Sequence, residues 1–255
     1  MRNIVLNSER FGNQVVFIEE CDSTNDLALE YQRETSTQHP LIILTKKQKK
    51  GRGQRGNFWH ADRGKSLTFS ILWYPEELAI SNQFLLNKVC SLAVAKTLID
   101  LGINDVKVKW PNDIYIGVKK VAGILIENFA KGALIKSSVM GIGLNVDVPS
   151  QREFVSTSIA DHIDVDLRRE DFLVRIVKNL DYFFDVIDAS KLDIDGVYTD
   201  NLFLFGERAE YENPSGDKFV GVNRGVNDQG LLCLEVNQTL EEFSFQEVKF
   251  VKVLQ

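Results

Sequence analysis

Two runs of apolar residues at helical spacing, set among a succession of strand-like segments, constrain this chain more than any other feature. Residues 82–101 place Leu85, Val89, Leu92, Ala93 and Leu98 on one side of a helix that Gly102 ends. Residues 169–187 do the same with Phe172, Ile176, Leu180 and Phe183, and Asp166 stands where a cap would. Strand patterns fall at 15–18, 41–45, 66–74 (stopped by Pro75), 106–110, 114–116, 121–126 and 134–142. A shorter helix over 27–33 follows Asp22, Ser23 and Thr24, each able to cap it. Strands interleaved with helices predict an α/β (α+β) architecture, a mixed sheet with helices packed on it. From Leu202 the character changes to short strands and turns, such as Asn213-Pro214-Ser215-Gly216 and Asn227-Asp228-Gln229-Gly230. A tail of this kind suits a small β-barrel, so a boundary is expected near Thr199, with domains 1–199 and 200–255.

Composition narrows the function classes. With 255 residues, 44% of them hydrophobic, the chain can bury a sizeable core. A net charge of -6 argues against a general nucleic-acid binder, and no DNA partner is expected. No apolar run reaches the roughly 18 residues that span a bilayer. Arg2, Glu9, Arg10, Glu19, Glu20 and Asp22 interrupt any signal-peptide core. A cytoplasmic protein without a membrane partner is expected. Cys21, Cys90 and Cys233 are far apart and form no Cys-x-x-Cys pair, so free thiols are expected. His39, His60 and His162 do not cluster, and no dedicated metal ligands are assigned.

Four segments carry the chemistry. Residues 46–55 hold six basic residues, and no acidic residue occurs between Glu34 and Asp62, which predicts a strong positive local field. Gly51, Gly53 and Gly56 allow close backbone approach, so this segment is either a phosphate cradle or a solvated loop. It is neither a Walker P-loop nor a dinucleotide fingerprint. Trp59 can stack on a flat base. The second segment is Lys109-Trp110-Pro111-Asn112-Asp113 with Lys120-Val121-Ala122-Gly123. A lysine entering an apolar strand calls for an anion beside it, unless it simply sits in an exposed turn. The third, Gly141-Ile142-Gly143-Leu144-Asn145, reads as glycines at a strand end, open to a ligand or forming a turn. The fourth, Asp22-Ser23-Thr24-Asn25, reads by itself as an ordinary helix cap.

Together and in this order, the segments resemble the catalytic domain of biotin protein ligases. The matching residues are Asp22-Ser23-Thr24-Asn25, Gly51-Arg52-Gly53, Arg55-Gly56 with Trp59, Lys109-Trp110-Pro111-Asn112-Asp113, Lys120-Val121-Ala122-Gly123-Ile124-Leu125 and Gly141-Ile142-Gly143-Leu144-Asn145. The resemblance is strong over about residues 15–150 and looser beyond, where that family carries a small SH3-like domain. It implies the class II synthetase and biotin-lipoate ligase fold. It also implies that biotin and ATP are joined as biotinyl-5'-AMP, with magnesium arriving on the ATP phosphates. The biotinyl group then passes to a lysine of a biotin carboxyl carrier domain of a carboxylase.

Residue by residue, the resemblance implies that Ser23, Thr24, Asn25, Gln48, Gly51, Arg52, Lys120 and Gly123 hold biotin. It implies that Arg55, Asn57, Trp59, Asn112, Lys120 and Asn145 hold ATP and the adenylate, and that Lys120, Arg52 and Asp113 are catalytic. Gln54 departs from the pattern, since many relatives carry a second arginine there that would grip the adenylate phosphate. The catalytic signature begins near residue 20, so a ligase without a DNA-binding repressor domain is expected. The alternatives are a lipoate or octanoate ligase of the same fold and a nucleic-acid-binding module. An exposed sheet edge can pair two copies, which makes a homodimer a candidate state.

Overall fold

A computed structural model describes residues 4, 6–35, 38–60, 62–148, 156–164 and 168–253, with Arg55 described by its backbone alone. The chain opens with β1 (Val15–Ile18), α1 (Thr24–Glu34), β2 (Leu41–Thr45), β3 (Ser66–Trp73), the short β4 (Leu78–Ala79) and α2 (Phe84–Ile99). Next come β5 (Val106–Lys109), β6 (Asp113–Ile116), β7 (Lys119–Lys131), β8 (Leu134–Asn145), α3 (Arg169–Asp188) and α4 (Ile194–Asp200). Five strands close the chain: β9 (Arg208–Glu212), β10 (Lys218–Val226), β11 (Leu232–Val236), β12 (Thr239–Phe243) and β13 (Lys249–Val253).

The large sheet runs β1-β2-β3-β8-β7-β6-β5, with β4 paired to β8. Only β1 and β2 run parallel; the other neighbours are antiparallel, so the sheet is mixed. Strand alternation sorts its residues onto two unlike faces. On one face Ile42, Leu44, Leu67, Phe69, Ile71, Ile124, Met140, Ile142 and Leu144 join the main core beneath α2 and α3. On the other, Leu41, Ile43, Leu72 and Val139 pack on Ala28 of α1. The same second face carries Thr68, Ser70, Gly123, Gly141 and Gly143 beyond the reach of that small cluster. Large side chains on one face and small ones on the other leave a hollow beside the N-terminus of α1.

The N-terminal arm is fastened to the far side. Phe11 is fully buried, with its ring 5.7 Å from Trp73 and 5.9 Å from Phe184. Truncating such a side chain costs about 3–5 kcal/mol. The second sheet has the order β12-β11-β10-β9-β13 and its own core of Ala209, Tyr211, Leu232, Leu234 and Val236. It meets the first unit at Trp110, whose indole donates to the Gly230 carbonyl (2.9 Å) and packs on Phe245. Helix α4 crosses position 199 and packs on α2 through a Tyr198–Phe84 edge contact.

Several sequence expectations change. Residues 141–145 form no turn: as a strand end they are the last five residues of β8, paired to β3 on one side and, as far as Leu144, to β7 on the other. The strand expected at 121–126 extends over Lys119–Lys131, because its hairpin with β8 runs past the rest of the sheet. Helix α1 begins at Thr24 rather than 27, with Ser23 as the cap accepting from the Asp26 amide, so Thr24 and Asn25 are helical. The cap expected of Asp166 lies outside the described residues; Asp171 accepts from the Arg168 amide at that helix start. Strand β4 and helix α4 are too short to leave a periodic signal.

Candidate functional site

A cleft of about 160 Å³ opens on the small-residue face, between the first turn of α1, the residue 52–59 arm and the β5–β6 turn. Its floor depends on three glycines. A Cβ on Gly143 would sit 2.2 Å from the Trp59 ring, and one on Gly141 would sit 2.2 Å from Asn25 Oδ1. A Cβ on Gly123 would meet the Lys120 amine at 3.2 Å. No side chain larger than hydrogen fits at 141 or 143 while Asn25 and Trp59 keep their places.

Lys120 reaches this face because β7 is bulged. Ile114 pairs with Ala122, but the next residue, Tyr115, pairs with Lys120, so Val121 is an inserted residue. Such a bulge re-aims the side chain next to it. The lysine amine lies 2.6 Å from Asp113 Oδ1 and 5.8 Å from the Trp59 ring. Its carbonyl accepts from the Thr157 amide (2.8 Å), and the Thr157 carbonyl accepts from Asn145 Nδ2 (3.1 Å). The Asn112 amide is held by the Ile124 carbonyl (2.5 Å), which pins the turn with the cis Trp110–Pro111 bond to the floor.

The opposite end is an uncharged network. Gln48 Oε1 accepts from the Thr24 amide (2.7 Å) and from the Thr24 hydroxyl (3.0 Å). The fully buried Ser70 hydroxyl lies 2.7 Å from Thr24 Oγ1 and 2.6 Å from Asn25 Oδ1. Arg52 overhangs this network, ion-paired to Glu127 and 3.1 Å from Asp26. Burial works against its charge, but the hydrogen bond it donates to Glu127 and the pull of both carboxylates outweigh it and raise the Arg52 pKa. Besides Arg52 Nε, which faces Asp26, three buried polar atoms of cleft-lining residues have no hydrogen-bond partner: Gln54 Oε1, Trp59 Nε1 and Thr68 Oγ1. Buried polar groups in native proteins are nearly always satisfied, so orphans gathered in one cleft call for a polar ligand.

The comparisons with known proteins agree on one family. The sequence model of the biotin/lipoate A/B protein ligase family matches residues 17–145, half of the chain. The bifunctional ligase/repressor BirA of Escherichia coli is 28% identical over 244 residues, which cover 93% of this chain and 74% of BirA. The biotin–[acetyl-CoA-carboxylase] ligase of Mycobacterium tuberculosis is 27% identical over 200 residues, 77% of this chain and 73% of that enzyme. The structure of the Aquifex aeolicus biotin protein ligase in complex with biotin and ATP superposes with a TM-score of 0.76 at 25% identity, over 94% of this chain and 99% of that one. The chain belongs to the biotin/lipoate A/B protein ligase family.

Of the residues the family resemblance singled out, Ser23, Thr24, Asn25, Gln48, Arg52, Asn57, Trp59, Asn112, Asp113, Lys120 and Gly123 all line the cleft. Two do not. Gly51 lies behind it, where a Cβ would be 2.3 Å from the Trp59 carbonyl oxygen, so it supports the arm. Asn145 is turned to Thr157 and, at 3.4 Å, to Ser66. The Arg55 side chain lies outside the described residues.

The strong field expected of residues 46–55 is corrected. Lys46 pairs with Glu19 (3.1 Å), Lys47 and Lys49 with Glu20 (3.0 and 2.8 Å), and Lys50 with Asp22 (2.8 Å). The acidic run before α1 lies against the four lysines, and its three carboxylates offset most of their charge. The anion that Lys120 required is likewise a protein group, Asp113. The cleft also takes in Thr68, Phe58 and Phe245, which sequence reasoning missed, and Lys109, which it placed in a motif but gave no role. Thr68 was readable as a polar residue on the outward side of an alternating strand. Phe245 had no local signal, since only the docking of the second sheet brings it there. Lys109 is half-sequestered, donating to the Tyr115 hydroxyl (3.1 Å), and burial lowers its pKa against the opposing pull of Asp113.

Proposed function

We propose that this chain is a biotin protein ligase, which joins biotin to ATP as biotinyl-5'-AMP and transfers the biotinyl group to a lysine of a biotin carboxyl carrier domain. The observation that carries the reading is the union of two unlike regions in one cleft. An uncharged network of Thr24 and Gln48, backed by the buried Ser70, lies at one end with the Arg52 cation over it, and a second cation, Lys120, stands at the other. A molecule with a neutral hydrogen-bonding ring, a short apolar chain and a terminal carboxylate fits that order.

The ureido ring sits among Ser23, Thr24 and Gln48, and the chain lies over the glycine floor at Gly123 and Gly143. The carboxylate reaches Arg52 and Lys120. A carboxylate oxygen attacks the α-phosphorus of ATP, and the bond to the pyrophosphate oxygen breaks. Negative charge builds on the phosphorus oxygens, and two preplaced cations in a partly dry cleft stabilise it. Lys120 must leave Asp113 to do so. The freed Asp113 carboxylate, the single acidic group lining the cleft among the described residues, then stands beside the acyl carbon. There it accepts a proton from the incoming lysine, whose neutral amine attacks the acyl carbon and expels AMP. Trp59 walls the adenylate, with Asn57 and Asn112 nearby. Magnesium carried on the ATP phosphates would help neutralise their charge, with Asp113 the carboxylate of the cleft that could hold it. Water exclusion by the arm protects the acyl-adenylate.

Two alternatives are weaker. Pairing of the lysine run with Glu19, Glu20 and Asp22 removes the positive strip that a nucleic-acid module requires. A lipoate or octanoate ligase shares the family, but the Mycobacterium tuberculosis and Aquifex aeolicus proteins above are named for biotin. Incubation with magnesium-ATP, a carrier domain and either biotin or lipoate separates them. We expect biotin alone to raise the mass of one carrier lysine; no adduct with biotin overturns the proposal. No described helix is long and apolar enough to cross a membrane.

A further inference from the structure

Glu127 was not among the residues expected at the site, and it does not line the cleft. It stands directly behind two residues that do. Its Oε2 accepts from Asn25 Nδ2 at 2.8 Å and from Arg52 Nη2. Strand register places Glu127 opposite Val139, two positions along β7 from the Leu125–Gly141 pair on which Asn25 rests. Strand β7, paired here to β8, therefore carries one carboxylate that ties the uncharged end of the cleft to the arm.

The contacts also settle which part of Arg52 is used. A guanidinium has five N–H donors on a planar fork. Glu127 takes Nη2, and Asp26, from a more exposed position, approaches Nε. Nη1 and the second hydrogen of Nη2 remain for a ligand. An arginine on a glycine-rich arm with no such anchor would sample many rotamers and lose entropy on every binding event. We propose that Glu127 is the positioning residue for Arg52, orienting the guanidinium toward the substrate anion and linking its orientation to Asn25 in the neutral half of the pocket. The role rests on the biotin ligase reading for its substrate, but not for its effect on the arm.

Two measurements on Glu127→Gln test this, because glutamine keeps the size and an oxygen that can accept from Asn25 but removes the charge that holds the Arg52 guanidinium. In ligand-free protein, trypsin cleavage after Arg52 and Arg55 should quicken about fivefold, while cleavage after Lys46, Lys47, Lys49 and Lys50 stays unchanged. Unchanged cleavage at both arginines, or equal acceleration at all sites, overturns the proposal. In pyrophosphate release, kcat/KM for biotin should fall about tenfold, with KM rising and kcat falling, because Arg52 serves both the bound carboxylate and the developing charge. In an Arg52→Lys background the same substitution should change kcat/KM less than about twofold. An equal effect in both backgrounds shows that Glu127 acts elsewhere and overturns the role. If the wild-type protein releases no pyrophosphate with biotin, the ligase reading fails, and the cleavage pattern alone judges Glu127.

Discussion

The two halves of the basic segment read alike in sequence and end in opposite surroundings. Residues 46–50 lie along the acidic turn before α1, each lysine matched by Glu19, Glu20 or Asp22 and held by backbone bonds such as Lys49 N to the Cys21 carbonyl (2.8 Å). Residues 52–59 turn inward, where Arg52 and Trp59 meet the glycine floor and polar atoms are left unpaired. The first half is an anchor and the second a working arm. Charge density along a chain does not reveal which cations are available to a ligand; the pairing partners do. Exposed pairs like those of the anchor are screened by water and add little to stability, so their consequence is the placement of the arm.

The comparison is sharpened first at its centre. Lys120→Ala should slow adenylate formation on the order of 1,000-fold or more, because it removes a preplaced cation from the developing charge. Near-normal pyrophosphate release in that variant would contradict the assignment of the cleft. Next, Arg52→Ala should lower kcat/KM about 100-fold, the loss of a charge-assisted contact, while Lys46→Ala and Lys49→Ala stay within about threefold. Comparable losses in all three would abolish the distinction between anchor and arm. Asp113→Asn should leave adenylate formation less affected than transfer, which should fall about 10- to 100-fold when biotinyl-AMP is supplied directly. Transfer at the full rate would remove Asp113 from the proton path.

Smaller effects probe the anchor itself. Hydrogen bonds from Lys49 and Lys47 hold the Glu20 carboxyl down to about 2, against an ordinary value of 4.5. A depressed folded-state pKa means that this contribution is complete above about 4.5 and is lost as pH falls toward 2. A carboxyl-carbon NMR titration should therefore place the Glu20 midpoint near 2. A midpoint close to 4.5 would mean that the lysines are not engaged, and the anchor would be no different from the arm.

Much of the site was legible because its chemistry is local. Asp22-Ser23-Thr24-Asn25 caps and begins a helix, Lys109-Trp110-Pro111-Asn112-Asp113 forms a turn, and both bring their polar groups to the cleft within a few residues. Where the sequence misled, partners came from elsewhere in the chain. The glycines at 141 and 143 look like a turn until β3 and β7 are found on either side of them. Lys120 faces the cleft only because of the Val121 bulge, which follows from pairing with β6 and not from any residue type.

By itself, then, the sequence determined the alternation that makes one sheet face oily and the other bare, the helix that opens beside it and the order of the reactive residues. These depend on periods of 2 and 3.6 residues and on turn chemistry, which act over short stretches of chain. Tertiary structure alone decided which charges are spent. Ion pairing and burial depend on what lies across space: Glu127 behind Arg52, Asp113 beside Lys120, Glu20 against the lysines and Phe245 from the second sheet. Those distances exist only once the strands are in register.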